Sequence, residues 1–428
     1  MGLIKTVWKQ ATGIGMTPAR AAALAVALCA PVWPATYYVD QLWGDDSNSG
    51  AAPGLAWQSL RRVSQFGLKP GDYVLLRRGE VWNEQLQITS SGAADNPITF
   101  GAYGTGAAPA IDGTGVSIPA QQGLVNSSRQ TYFTIRDLEI RNSQRDGMVP
   151  YLVNGLQVRN CAVHDNQFNG FLAYNGNNIV IDGSSFYNNS LNLAASYAGI
   201  AIDGNWPPQS NFTISNNSIH DNIGGEGWLG ANGIYFGHTG SGIPTLQNVV
   251  VTGNDIFRNG NPDQDQAGRG ISGSFNGDVS VQKNRIYENA SAGVYLGDTN
   301  LLLTIVISHN IFRNNALRQF GGITNATGLC EQNISTVDDP AITGMGAEVG
   351  GNGVWTIQYN VFWFATGTND QWRGFIHSND PVQDTLLQSN YNQFYSAGPK
   401  RWKRSDGVVL NFQQWQSFGF DLNSVNPH

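Results

Sequence analysis

The sequence predicts an all-β solenoid of stacked parallel strands, on three observations. First, one short pattern recurs between Tyr132 and Asp380, an Ile, Val or Phe followed by a polar pair ending in Asn. It gives Asn142 after Ile140, Asn166 after Val163, Asn189 after Phe186, Asn222 after Ile219, Asn259 after Ile256, Asn289 after Ile286 and Asn314 after Ile311, with a last apolar member at Val361. Successive apolar markers lie 23, 23, 33, 37, 30, 25 and 50 residues apart, so a minimal unit of 23 persists and the excess is inserted material. Second, each unit carries another short strand introduced by Gly: Gly147, Gly170, Gly199, Gly233, Gly270, Gly293, Gly322 and Gly374. Periods of this size with short apolar pieces indicate a solenoid. Third, the pieces alternate β-branched and polar residues, as in Asn211-Phe212-Thr213-Ile214-Ser215-Asn216 and Asn248 to Asn254, which is the signature of half-buried strands.

Stacked coils of such strands pair in parallel at about 4.8 Å, and equivalent side chains form ladders up the stack. Asn suits the bends because it tolerates the left-handed backbone region and bonds nearby turn amides. On these repeats the chain resembles the right-handed parallel β-helix proteins, the superfamily of pectate lyases, polygalacturonases, alginate lyases and epimerases, and phage tailspikes. The resemblance covers most of the chain after Thr36 and implies a single-domain right-handed parallel β-helix with a short N-terminal capping helix. Such repeats specify fold strongly and chemistry weakly.

Residues 1–35 read as a secretory signal segment. Ala21 to Ala30 is an apolar run preceded by Lys5, Lys9 and Arg20 and followed by Pro31-Val32-Trp33-Pro34-Ala35, too short for the roughly 20 residues a membrane span needs. A secreted or periplasmic protein without a membrane anchor in its mature form is expected. Residues 36–428 are expected to form one β-helix domain, since an unbroken repeat argues against two bodies despite 428 residues. Net charge is −7, and removing Lys5, Lys9 and Arg20 with the leader takes it to −10. No basic stripe exists, so nucleic acid is a poor partner. Beyond the leader only Cys161 and Cys330 remain. They fall in units five rungs apart, more than about 20 Å at the strand spacing, so two free thiols are expected.

Residues 36–115 form the entry to the solenoid. Tyr37-Tyr38-Val39-Asp40 is a strand, Gly44 to Gly50 a polar loop, and Trp57 to Phe66 a short amphipathic helix suited to covering the open edge of the first coil. Lys69-Pro70-Gly71-Asp72 turns into Tyr73-Val74-Leu75-Leu76, and Pro97 to Phe100 and Ala110 to Gly113 continue the first coils. This succession resembles the N-terminal segment of many secreted bacterial β-helix proteins related to polysaccharide lyases. Its carboxylates Glu80 and Glu84 read as solvated surface groups. The repeat coils occupy 132–380, with Asn325 to Gly353 a long irregular loop. Residues 381–428 form a C-terminal coil and cap, closed by Phe412 to Phe418.

Chemistry is expected where the minimal unit is broken. Between apolar marker and Gly, units one, two and six have 7 residues, whereas units three, four and five have 13, 14 and 14. Three consecutive rungs therefore carry enlarged loops on one corner, a wall beside one sheet, and loops of this size on a rigid scaffold tend to be functional. The wall includes Asn188 to Ala198, His220 to Trp228, and Arg258 to Arg269. On the neighbouring sheet, the second and fourth residues after each Gly point outward. That set is Tyr174, Ala201, Asp203, Tyr235, Ser272, Ser274 and Tyr295, with His238 and Asp298 one step further on. Asp203, Glu226, His238, and Asp263 or Asp265 thus converge on one groove as the catalytic candidates. Trp206 and Trp228 flank it, with Tyr235, Arg269, Tyr295 and Asp298 as further substrate contacts; exposed rings suit stacking on sugar faces. For the outward tyrosines a cross-strand packing ladder is the reading favoured over ligand contact. His164 and His220 share a column with Tyr187, Phe257 and Tyr287 and read as structural.

Two reactions fit such a groove. Glycoside hydrolysis needs one carboxyl as acid and one as base or nucleophile, about 5 to 9.5 Å apart, which Asp203 with Glu226 or Asp263 would supply. Uronate β-elimination needs a base near C5, often Lys or Arg by analogy with β-helix lyases, with the uronate carboxylate neutralised by Ca²⁺ or Arg. The Lys residues after the leader are Lys69, Lys283, Lys400 and Lys403, none in the wall, and this tilts the reading toward hydrolysis of a polysaccharide. No cofactor is called for; Ca²⁺ is the cation that the Asp263-Gln264-Asp265 loop would suit, although no EF-hand or nonapeptide motif is present. A third reading is a non-catalytic carbohydrate-binding adhesin or tailspike-like rod. A monomer is expected.

Overall fold

The computed structural model describes residues 33–428 except 193–196, 205–207, 225–230, 238–244, 262–267, 299–303, 326, 340, 343, 366–373, 397 and 427–428. From Thr36 onward the chain is one compact unit. Each coil contributes a strand to each of three parallel sheets. The coil at 146–164 is representative: Asp146–Tyr151 in the first, Asn154–Arg159 in the second, and Ala162–His164 in the third. Register advances by the 23-residue unit in all three sheets, with Met148 opposite Phe171, Leu156 opposite Ile179, and Val163 opposite Phe186. The core is a stack of inward apolar side chains such as Phe171, Ile200, Ile234, Ile271 and Val294, all fully buried.

The recurrent polar-Asn pair has two separate jobs. The first member bends the chain: Asp165, Asn188, Asp221, Arg258, Glu288 and Asn314 all have φ between 48° and 56°. The second is buried and forms a ladder. Asn166 Nδ2 donates to Asn189 Oδ1 at 2.8 Å, and the series continues through Asn222, Asn259, Asn289 and Asn315 to Gln319. A second buried ladder runs Asn217, Asn254, Asn284, Asn310, Asn333, Asn360, Asn392 to Asp421. Asn at the bends was expected for its backbone tolerance; the ladder residues instead serve by side-chain length and by carrying both donor and acceptor.

Several expectations need correction. Ile311 is not the inward marker of its unit: Ile286 faces Phe312, and Ile311 is 47% exposed, the one-residue slip that a two-residue side-chain period turns into a change of face. Asn325 to Gly353 is not an irregular loop but a further coil, with strands Thr327–Glu331, Ile334–Val337 and Met345–Gly350. It escapes a search for apolar markers because Ser335 occupies the inward position, opposite Phe312 and Phe362. The Gly position of unit seven is filled by Gln319, not Gly322, because Ala292 bridges Arg318. Glu80 is 6% exposed rather than solvated, and its carboxylate accepts from Gln41 N at 2.6 Å.

The helix near the N-terminus is confined to Leu60–Gln65, capped by Ser59 accepting from Arg62 N, with Leu60 and Val63 in the core. At the other end Phe412–Ser417 carries a capping box from Asn411 and Gln414, and Trp415 Nε1 donates to Asp421, the residue that terminates the second ladder. On the third sheet, His164, Tyr187, His220, Phe257 and Tyr287 stack at 4.5 to 5.3 Å, a packing column as anticipated. Cys161 and Cys330 are buried free thiols.

The ladders make a quantitative contrast. Asn254→Ala removes the acceptor of the Asn217 backbone and side-chain amides and the donor to the Ile214 carbonyl and is expected to cost about 3 kcal/mol, since each buried unsatisfied group costs about 1–3 kcal/mol. Asn248→Gly, which keeps the left-handed backbone (φ 53°) and removes only the bond in the exposed series Asn178, Asn211, Asn248, is expected to cost under about 1 kcal/mol. Thermal melting of the two variants side by side checks the difference.

Candidate functional site: an aromatic trough on the first sheet

The corner between the third and first sheets carries the enlarged loops of units three to five, and the strands beside it are in register. Leu172, Ala201, Tyr235, Ser272 and Tyr295 face one another in successive rungs of the first sheet. Leu172 follows Val149 in the same column, since Met148 faces Phe171. The column therefore drops from Val149 and Leu172 to Ala201, then rises at Tyr235.

A cavity of about 510 Å³ sits at that drop. Val149, Leu172 and Ala201 form its floor. One wall stands on the enlarged corner, where Phe168 and Tyr197 stack at 4.5 Å and the Arg145 guanidinium lies 4.9 Å over Phe168. The other wall is the far end of the strands, where Tyr151 and Tyr174 stack at 5.7 Å and Asp203 continues their column. Tyr235 closes the end.

Each wall holds one carboxyl. Asp146, 4% exposed, accepts at Oδ1 from the Asn169 backbone N–H at 3.1 Å and from Asn169 Nδ2 at 2.8 Å. Burial outweighs those bonds and the nearby Arg145 and pushes Asp146 up to about 6. Asp203 is 5% exposed and accepts from the Gly204 N–H. Burial, with the charge of Asp203 added, raises the phenols of Tyr174 and Tyr235 above their ordinary value. Register puts Asp203 two rungs up the stack at the level of Tyr151, five residues along an extended strand from Asp146, so the two Cα positions lie about 19 Å apart, about 16 Å along the strand and about 9.6 Å along the stack. That is too far for the two to flank one glycosidic bond, for which about 5 to 9.5 Å is needed.

A second cluster lies further along the same sheet. Arg269 Nη1 donates to Ser272 Oγ at 3.0 Å, and its guanidinium lies 5.4 Å from the Tyr295 ring centroid. Arg318 covers the same ring at 4.4 Å. Arg318 Nε is 3.1 Å from Glu348 Oε2, but its N–H is not aimed there and has no hydrogen-bond partner. Glu348 Oε1 accepts from Asn379 Nδ2 at 3.0 Å. Burial alone would raise the Glu348 carboxyl; His377 and Arg318 outweigh it and hold it below its usual range. Burial, then the like charge of Arg318, lowers Arg269.

Of the residues singled out from sequence, the structure brings Asp203 and Tyr235 together in the trough, and Arg269 and Tyr295 in the neighbouring cluster. Asp298 ends the strand Val294–Asp298, opposite Phe275. Glu226, His238, Asp263, Asp265, Trp206 and Trp228 lie outside the described residues. Among the described residues no group of three or more His, Cys, Asp or Glu is placed to hold a metal ion. Sequence reasoning missed Asp146, Arg145, Phe168 and Arg318. Asp146 and Arg269 share one column, the residue before each Gly, and reading down that column would have found Asp146; Arg318 belongs to it too, but Gln319 hides it.

The fold defines a right-handed β-helix with an aromatic, acid-bearing groove on one face. The sequence profile of the right handed β-helix region matches residues 123–205 and 192–359, more than half of the chain, and the chain belongs to that family. Over 134 residues, 26% of this chain, it is 35% identical to a lacto-N-biosidase of Bifidobacterium longum subsp. longum. The match spans only 8% of that relative. Among solved structures, a GH136 lacto-N-biosidase from Eubacterium ramulus superposes with a TM-score of 0.54 over 91% of this chain and 67% of that one, at 17% identity. A rhamnogalacturonan lyase gives 0.52 over 82% and 88%, at 15% identity. At such identities the structural likeness is one of fold.

The Asp146 shift has a consequence for stability. Its carboxyl ionises near 3.8 when unfolded and about 6 when folded, so the native state binds the extra proton and stability falls as pH rises through that window, by about 3 kcal/mol at 1.36 kcal/mol per unit. Asp146→Asn is expected to melt higher than the parent at pH 8 and equally at pH 4. Melting curves across pH 4–8 measure it.

Proposed function

We propose that the protein is a secreted carbohydrate-active enzyme that cleaves glycosidic bonds of a polysaccharide by hydrolysis in the trough. The observation that carries this reading is a cavity with stacked rings on both walls, an apolar floor and a buried carboxyl on each side. Rings take the apolar faces of pyranoses, and carboxyl groups take their hydroxyls or act on the bond between them. The likeness to a lacto-N-biosidase over part of the chain supports the same class.

Asp203 is the carboxyl assigned to the reacting bond. It lies beside Ala201, where the floor leaves room for a sugar, and Tyr174 and Tyr235 flank it. Its partner is sought among Glu226, Asp263 and Asp265, with His238 as the orienting group, all of which lie outside the described residues. Asp146 sits too far away to share the bond; protonated below about pH 6, it donates to a substrate hydroxyl across the trough. β-Elimination is the second reading, favoured by Arg269 and Arg318 beside Tyr295, which would neutralise a uronate carboxylate.

Asp203→Asn is expected to lower kcat by about 10² to 10⁴ with polysaccharide binding retained. Asp146→Asn is expected to keep kcat within a few fold and to flatten a rise of KM above pH 6. New reducing ends measured across polysaccharides, without the ultraviolet absorbance of an unsaturated uronate, mark hydrolysis. Reducing ends with that absorbance would instead establish elimination, and full activity in Asp203→Asn would remove Asp203 from the reaction.

A further inference from the structure

The outward face of the third sheet departs from its own pattern over its last rungs. One column there reads Ser185, Ser218, Asp255 and Arg285 in successive coils, and then Ile311, Ile334 and Val361. These apolar residues are not core, since Ile311 is 47% and Ile334 43% exposed. Beside them Trp363 is 43% exposed, and the bend residues Tyr359 and Tyr391 are 53% and 47% exposed. Tyr359, Val361 and Trp363 share one face because Asn360 and Phe362 between them are fully buried.

Single exposed apolar side chains need no explanation, but a contiguous patch rimmed by polar groups marks an interaction surface. Its extent follows from the fold: four rungs span about 14 Å along the stack, and Tyr359 to Trp363 about 13 Å along the strand. With side chains reaching past these positions the footprint is roughly 20 Å square. Two such faces pressed together bury on the order of 1,000 Å² in total, the size at which specific protein interfaces begin.

The chemistry of the patch is that of a protein interface, with an aliphatic centre, aromatic flanks and a polar edge. A sugar polymer would find no hydrogen bonds at that centre, and Tyr359 and Tyr391 each spend a ring face on the other, at 5.1 Å and 11°. Charge agrees. Over residues 309–313, 332–336, 359–363 and 391–395 the outward positions carry one Arg and no Lys, Asp or Glu. That residue, Arg313, is neutralised by Asp338 at 2.8 Å. Residues 366–373, which follow, add one Asp and one Arg. Two chains of net charge −7 can therefore meet here without like charges opposed.

We infer that this face is a homodimer interface, on which a second copy of the chain lays its own third sheet with strands aligned and stacks antiparallel, in place of the monomer expected from sequence. Aligned packing is one of the two usual arrangements of sheet on sheet. A two-fold axis along the strands, between the Ile334 and Val361 rungs, makes the contact isologous. It sets Ile334 against the second copy's Val361, Thr336 against its Trp363, Gln332 against its Tyr359 and Arg313 against its Tyr395. Each ring of one copy thus meets a smaller or more flexible side chain of the other, and the guanidinium meets a ring.

Sedimentation velocity of the full chain from about 1 to 100 μM is expected to show a reversible monomer–dimer equilibrium. Ile334→Lys, which would bury an unpaired charge at the centre, is expected to raise the dissociation constant at least about 100-fold. Trp363→Ala is expected to raise it about 10-fold or more. Ser218→Lys, in the same column three rungs before Ile311, is expected to leave it unchanged. All three positions face outward, and melting at the parent temperature verifies that the variants are folded. A chain that stays monomeric throughout the range overturns the interface, and one that does so while Trp363→Ala weakens polysaccharide binding gives the face to a sugar polymer instead. A dimer that survives both Ile334→Lys and Trp363→Ala forms elsewhere on the molecule and overturns the inference equally.

Discussion

The two buried amide ladders are the constraint on which the rest depends. An interior ladder residue such as Asn254 donates to the next Oδ1 and to a backbone carbonyl of an earlier rung, and its own Oδ1 accepts both the side chain and the backbone N–H of the Asn before it. An Asn so placed cannot shift by one residue without leaving buried donors on two rungs unpaired. Register is thereby fixed at two corners of the coils from Asn217 to Asn315, and at one corner of the coils on either side. The series closes on groups of matching valence: Gln319 ends one ladder by reaching back to Asn315, and Asp421 ends the other by accepting from Asn392, Ser389 and Trp415.

Because register is held at the corners, the outward positions of the first sheet are free to vary without endangering the fold. The inward members of that sheet are Phe, Ile and Val through the central rungs, while the outward column runs Val149, Leu172, Ala201, Tyr235, Ser272, Tyr295. The functional surface is written in that variation. A small residue between two large ones is a hole, and the hole at Ala201 has Asp203 two residues along, on the same face. The longer connections of units three to five leave the strand register intact, because loop length is entropically inexpensive once its ends are fixed.

Legibility followed the same division. The 23-residue period, the parallel stacking, the structural role of His164 and His220, and the groove face of Asp203 and Tyr235 could all be read from spacing, because each repeats or departs from a repeat. What resisted was a residue that broke the code while keeping the shape. Ser335 at an apolar position concealed a whole coil, and Gln319 in place of a Gly concealed Arg318. Asp146 was overlooked for a different reason. It belongs to a unit of minimal length, and its importance comes from burial and from Asn169 one rung on, neither of which a search for insertions would register.

The distribution of charge along the sheet argues that trough and arginine cluster serve one ligand. Isolated, a buried Arg pair with unpaired Nε atoms is a liability that an apolar substitution would relieve. Isolated, the trough would be suited to any sugar that fits between its rings. Placed on one column, with Tyr235 closing the first site and opening the gap that Arg269 overlooks, each supplies what the other lacks. The trough presents stacked rings with the carboxyls of Asp146 and Asp203, and the cluster presents two guanidinium groups with Glu348, whose Oε1 accepts from Asn379. A linear polymer laid along the stack direction would meet both at a spacing set by strand separation, and that spacing is fixed by the amide ladders rather than by the groove residues themselves.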